Sequence, residues 1–314
     1  MRKLYLLLLA ATLHTAVAAA PAGRLQGKGF VDNAVCGECH AAEAEAWKGS
    51  HHDLAMQVAT QESVLGDFDA AEFSHGGEVT RFFRRDGKFF VNALGPQGKR
   101  ADYAIKYTFG VEPLQQYLVE LPGGRLQTLT VAWDSRPADA GGQRWFQLLP
   151  EEQTGPGDPL HWSGRAYNWN NRCAECHSTD LQKNYDAATR SYSTTWSEIN
   201  VSCQACHGPG EQHVAWARQA QPGKASTAEE MGLPVDFRGN DARYQVESCA
   251  RCHSRRHAVS ASDAHGRPFL DDFMPATLQP GLYHADGQIL DEVYVYGSFL
   301  QSKMHQQGVR CSDC

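Results

Sequence analysis

Cys173-Ala174-Glu175-Cys176-His177 and, after a short spacer, Cys203-Gln204-Ala205-Cys206-His207 spell one five-residue pattern twice. It returns upstream as Cys36-Gly37-Glu38-Cys39-His40 and downstream as Cys249-Ala250-Arg251-Cys252-His253. Cys-x-x-Cys-His is the spacing that covalent c-type haem attachment requires. Each thiol adds across one porphyrin vinyl group, and the adjacent imidazole binds the iron axially. One copy could be coincidence; four in one chain are not. The proximal ligands are then His40, His177, His207 and His253.

Cysteine usage fits the same reading. All ten cysteines fall in Cys-x-x-Cys pairs, the fifth being Cys311-Ser312-Asp313-Cys314, so none is left for a separate disulfide framework. The sequence stops one residue before the histidine that would complete this pair. A longer native chain with a fifth haem is expected from that, rather than a dithiol redox or zinc site at Cys311 and Cys314. Zinc or disulfides as the use of every pair are disfavoured, since neither calls for a histidine after the second cysteine.

The N-terminus carries Arg2 and Lys3, an apolar run from Leu4 to Leu13, and then small residues ending in Ala18-Ala19-Ala20. This is the layout of a secretory signal peptide over 1–20. The apolar run is too short to span a bilayer comfortably. Export suits covalent haem attachment, which takes place outside the bacterial cytoplasm, so a periplasmic protein is expected. Removing the leader takes the formal charge from −7 to −9, which disfavours nucleic acid as a partner and favours basic patches on redox proteins.

Residues 21–72 form a first haem segment, with a short helix expected over Ala41–Trp47 from its alanines and glutamates. Residues 73–136 lack cysteine. Val79–Phe83 and Phe89–Leu94 flank Arg85-Asp86-Gly87-Lys88, a hairpin with an Asp-Gly turn. Further strands are expected at Tyr103–Phe109, Tyr117–Leu121 and Arg125–Trp133, making an antiparallel β module read chiefly as a structural insertion. Residues 137–160, rich in Gly, Pro and Asp, read as a linker, and 161–314 as the haem-dense domain. The expected fold class is therefore mainly α and irregular, with short helices around covalent haems and an inserted antiparallel β module.

The occupant of each second axial position separates electron transfer from small-molecule chemistry. Besides His14 and the motif histidines, nine remain: His51, His52, His75, His161, His213, His257, His265, His284 and His305. That supply makes bis-histidine ligation the default. The distal candidates are His52, His161, His213, which follows the Gly208-Pro209-Gly210 turn, and His284. His75, His257, His265 and His305 are assigned to local bonds or solvent. Met56 and Met304 are assigned to packing rather than iron.

Several stretches resemble the multihaem c-type cytochromes of the cytochrome c554 family, in particular the haem-binding part of those that end in tetratricopeptide repeats. They are Trp47-Lys48-Gly49-Ser50-His51-His52-Asp53-Leu54-Ala55-Met56, Lys106 to Tyr117, Cys203-Gln204-Ala205-Cys206-His207-Gly208-Pro209-Gly210, and Tyr296 to Ser302. The resemblance implies covalent haem c, closely packed haem pairs, mostly bis-histidine irons and electron transfer in the periplasm; redox protein partners are expected, a membrane-associated electron-transfer complex among them. It also supports His52, His213 and His284 as distal ligands, and a repeat domain beyond Cys314. The competing reading is an oxidoreductase acting on a small nitrogen or sulfur compound at a five-coordinate haem, with His161, Arg165 and Tyr167 as pocket donors.

Overall fold

The computed structural model describes residues 23–24, 29–150, 154–219, 227, 230–238, 241–260 and 265–313. The expected leader over 1–20 and Cys314 lie outside the described residues. Among those described, no helix is long and apolar enough to cross a membrane.

The largest structural unit is a nine-stranded antiparallel sheet. Its strands are β1 (Met56–Val58), β2 (Ala71–His75), β3 (Glu78–Arg85), β4 (Lys88–Leu94), β5 (Arg100–Phe109), β6 (Leu114–Leu121), β7 (Arg125–Thr128), β8 (Val131–Asp134) and β9 (Arg144–Gln147). The main path runs β9-β8-β6-β5-β4-β3-β2, with β1 on β5 and β7 on β6. The two end strands, β9 and β2, come back into contact, so the sheet nearly closes on itself. The expected hairpin is present: Asp86 and Gly87 both have positive φ, 51° and 71°, as a two-residue turn between twisted strands demands.

The expectation of a mainly α and irregular fold is overturned by this sheet. The longest helices among the described residues, Glu211–Gln219 and Ala242–Ala250, have only nine residues each. The β region also reaches beyond 73–136. Met56–Val58 pairs with Tyr107–Phe109, and Arg144–Gln147, inside the stretch read as a linker, pairs with Val131–Asp134. Both strands are short, and only their long-range partners make them strands.

Alternation along β6 explains how the sheet serves two cores. Tyr117, Val119 and Leu121 point into a cluster with Phe68, Phe82, Phe89, Trp133 and Trp145. Leu118 points the other way, into a cluster with Met56, Leu126, Trp169, Ala174 and Trp196. A strand with both faces covered reads as a run of apolar residues rather than a clean alternation. The first cluster is rich in aromatic rings, with Phe82 stacked on Trp145 at 3.6 Å and 3°. The second cluster binds the sheet to the segment carrying Cys173 and His177.

A bulge in β5 redirects the sheet toward that segment. Its pairing with β6 slips between Ile105 and Tyr107, so Ile105 joins the first cluster and Tyr107 the second, although the two are an even number of residues apart. An extra residue in one strand reverses which face the following side chains occupy. Beyond the bulge, Phe109 reaches the His177 ring, 4.2 Å between centroids.

Polar side chains close the same seam. Asn170, fully buried, accepts from the Leu126 backbone N–H at 2.8 Å and donates to Thr194 Oγ1 at 2.8 Å and to the Gly124 carbonyl at 3.2 Å. Replacing it with leucine leaves a buried backbone N–H without a partner. Asn170→Leu is expected to cost on the order of 1–3 kcal/mol, read as a lower urea midpoint with unchanged haem content.

Candidate haem sites

Each motif sits on a helical turn or at its end: Cys36 in α1 (Asn33–Gly37), His177 in Ala174–His177, the third motif in Cys203–His207, and Cys249 in Ala242–Ala250. Backbone bonds run from His40 N to Cys36 O and from His253 N to Cys249 O, both 2.9 Å. Residues i, i+3 and i+4 of one helical turn share a face. The two thiols and the imidazole of each motif are therefore presented together.

The motifs meet one another through their thiols. Cys36 and Cys203 are hydrogen-bonded to each other, as are Cys176 and Cys252, and Cys249 and Cys311. The charge of Cys206 is felt at both Cys249 and Cys252. First pairs with third and second with fourth, the third acts on the fourth through charge, and Cys311 of the fifth pair sits against the fourth. No disulfide joins the nine described cysteines, and among the described residues no group of three or more His, Cys, Asp or Glu is arranged around a single metal ion.

Variable positions inside the motifs hold these pairs together. Gln204, buried to 2% exposure, donates to the Val31 carbonyl at 2.7 Å and accepts from Val31 N at 3.0 Å and Gly210 N at 2.9 Å. It ties the approach to the first motif onto the third. Asn33 adds a second tie, its backbone N–H bonding Glu198 at 3.0 Å and its side chain accepting from Cys203 N at 3.3 Å. Arg256 links the other pair. Its guanidinium lies 3.5 Å from Glu175 of the second motif, bonds the Arg251 carbonyl of the fourth, and covers the Phe273 ring at 3.8 Å. Arg251 itself pairs at 2.9 Å with the buried carboxylate of Asp272.

Two of the four distal candidates face a motif histidine. His213 stacks near His40 with centroids 6.2 Å apart and planes at 24°. His52 faces His253 at 6.0 Å and 65°. An iron holding two imidazoles at about 2.0–2.1 Å keeps their centroids roughly 6.2 Å apart, since each ring centre lies about 1.1 Å behind its nitrogen. Both spacings match two imidazoles on opposite sides of one iron, and the Cys-x-x-Cys pair next to each motif histidine supplies the thiols for thioether attachment, so the residues fit haem c.

The loop bearing His52 is fixed from the third motif. Val201 N donates to the His52 carbonyl at 3.2 Å, Trp47 Nε1 to the Val201 carbonyl at 3.0 Å, and Asn200 Nδ2 to Asp53 at 2.9 Å. Burial lowers the pKa of His52, His207 and His253, and it pushes His177 down to about 4. Neutral imidazole is the form that ligates iron.

The other two candidates stand elsewhere. His161 is buried in the β region, bonded through Nδ1 to Ser163 Oγ at 2.8 Å and tilted against Trp162. His284 sits exposed in a turn closed by Gly287 N on its carbonyl. Neither is among the described ring contacts of a motif histidine. Met56 is fully buried in the core, as packing predicts. His265, assigned by sequence to local bonds or solvent, lies against the third motif, with Nε2 3.2 Å from the Ala205 carbonyl. No local signal could have revealed this contact across sixty residues. It also explains Gly208: with φ at 79°, a Cβ there would meet Pro234 at 2.4 Å and His265 at 3.1 Å.

Comparison with known proteins agrees with this chemistry. The family described as cytochrome c554 and c-prime matches residues 35–74 and 158–208, which hold the first three motifs and His52. No curated protein sequence matches the chain. Among solved structures, the crystal structure of the outer cell wall cytochrome OcwA aligns over 85% of this chain and 50% of its own, with a TM-score of 0.54 and 17% identity. An undecahaem cytochrome from the S-layer of Carboxydothermus ferrireducens aligns over 77% of this chain and 30% of its own, with a TM-score of 0.41 and 14% identity. The chain thus spans half the length of the first of these. Over residues 35–74 and 158–208 the chain is similar to the cytochrome c554 family, whose multihaem members carry haem c.

Proposed function

We propose that the chain is a periplasmic electron carrier with four complete haem c sites, and that it passes electrons between redox protein partners. The haems are attached at Cys36 and Cys39, Cys173 and Cys176, Cys203 and Cys206, and Cys249 and Cys252, with His40, His177, His207 and His253 as proximal ligands. Cys311 and Cys314 supply the thiols of a fifth site. His213 completes the first centre and His52 the fourth. Haem c supplies a one-electron change at iron without altering the protein's covalent structure.

The observation that carries the reading is the inter-motif contact pattern. Thiol contacts of first with third and of second with fourth, with the third acting electrostatically on both cysteines of the fourth, set out a series, with the fifth motif as a branch from the fourth. Gln204, Asn33 and Arg256 keep that series rigid, and rigid spacing is what a chain of hopping sites requires of its protein. Low-spin, bis-histidine centres favour transfer over substrate binding. The acidic surface expected from the net charge suits basic docking patches on partners.

The test is haem stoichiometry and spin state on the mature protein. Four or more covalent haems per chain, retained on a denaturing gel, with low-spin ferric signals from the first and fourth centres, are the expected outcome. A colourless protein of bare-polypeptide mass, produced alongside a working maturation system, would end the proposal.

A further inference from the structure

The near-closed sheet holds a cavity of about 300 Å³ that no motif residue lines. That is the lower end of the range of roughly 300–1,000 Å³ for small-molecule pockets. Its walls include Trp162, Leu129 and Val131, with Glu78 and Arg100 among its polar groups. His161 lines it too and is only 5% exposed.

The protonation of His161 can be read from its partners. The Ser163 backbone N–H donates to Nδ1 at 3.3 Å, and a backbone N–H can only donate. Nδ1 is therefore an acceptor, and the neutral ring carries its hydrogen on Nε2. Burial favours this neutral form. The hydrogen bonds of His161 to described residues run through Nδ1, which leaves the Nε2–H as a donor at the cavity wall. On the same wall, His75 has its Nε2 buried without a hydrogen bond, a second polar group the protein leaves unsatisfied.

Charge narrows the ligand. Arg100 is paired with Glu78 at 2.8 Å, and Glu78 and Asp158 both act on His161. Glu78 and Arg100 both line the cavity and neutralise each other, so an anion would meet the carboxylate and a cation the guanidinium. We propose that this cavity binds a neutral aromatic molecule bearing a carbonyl group, its oxygen accepting from His161 Nε2–H and its ring lying among Trp162, Leu129 and Val131. The site is independent of the haem assignment, and its test does not read haem chemistry.

The probe is benzamide, titrated into the haem-loaded mature protein and followed by calorimetry and ligand-observed NMR, with benzoate as the charged control. Saturable benzamide binding is expected, with benzoate at least about tenfold weaker, and His161→Phe is expected to weaken benzamide about tenfold, the scale of one hydrogen bond. Glu78 is largely solvent-exposed, so Glu78→Gln keeps the fold and is expected to narrow the gap between benzamide and benzoate. No benzamide binding at millimolar concentration, equal binding of benzoate, or unchanged affinity in a folded His161→Phe protein would each overturn the assignment. Should His161→Phe fail to fold, an unchanged benzoate discrimination in Glu78→Gln would do the same.

Discussion

His52→Ala is expected to turn one low-spin ferric haem into a high-spin one without reducing the haem count. The thiols that fix the fourth haem, Cys249 and Cys252, are untouched, and so is His253. Only the imidazole facing His253 at 6.0 Å is lost. The loop around it keeps its anchors, since Asn200 holds Asp53 and Val201 holds the residue-52 carbonyl through backbone atoms. Added imidazole should restore the low-spin spectrum by filling the vacated position. His52→Met keeps a sixth ligand but exchanges nitrogen for sulfur, and should raise that centre's potential by on the order of 100 mV or more. His213→Ala should act in the same way on the first centre through His40. His284→Ala, in an exposed turn, should leave the spectrum unchanged. Electron paramagnetic resonance of the four variants decides the matter, and a wild-type spectrum from His52→Ala would remove His52 from the ligand set.

Much of this arrangement could be read from residue spacing, because covalent haem attachment is a local property of five consecutive residues. The Asp86-Gly87 hairpin was equally local. What could not be read was whatever depends on residues far apart in the chain. The β5 bulge between Ile105 and Tyr107 exists because β6 must pair on one side while Phe109 reaches His177 on the other. Nothing in the local pattern of Lys106 announces it. Arg144–Gln147 reads as part of a polar connection, yet Trp145 is the centre of the aromatic cluster. His161 shows the same limit from the other direction. Its place just ahead of the second motif suggests an axial ligand, but the chain folds it back against β-strand residues, with Gln127 drawing in the Trp162 and Gly164 carbonyls at 2.9 and 3.0 Å. The pairing of motifs was beyond sequence for the same reason, since Gln204 and Arg256 act across 173 and 81 residues.

The third motif is where loss should propagate furthest. Cys203→Ser with Cys206→Ser is expected to remove one haem, lowering the covalent count by one, and also to disturb the first centre. Cys203 touches Cys36, while the neighbouring helix Glu211–Gln219 carries His213, the residue that faces His40. Without the third haem, His213 loses the packing that aims it. The first iron should then show a partial high-spin signal in the double variant, although its own thiols and His40 are intact. Equivalent serine substitutions at Cys173 and Cys176 should remove the second haem and leave the first unaffected, because the described thiol contact of the second motif is with the fourth. Stopped-flow reduction separates the two cases further. Loss of the third haem should divide the reducible centres into two populations with different rates, since the thiol contact of the first motif is with the third. Loss of the second should shorten the series by one member and keep a single population. If both double variants behaved alike, the thiol contacts would not report the order of the centres, and the series from first to third to fourth would have to be abandoned.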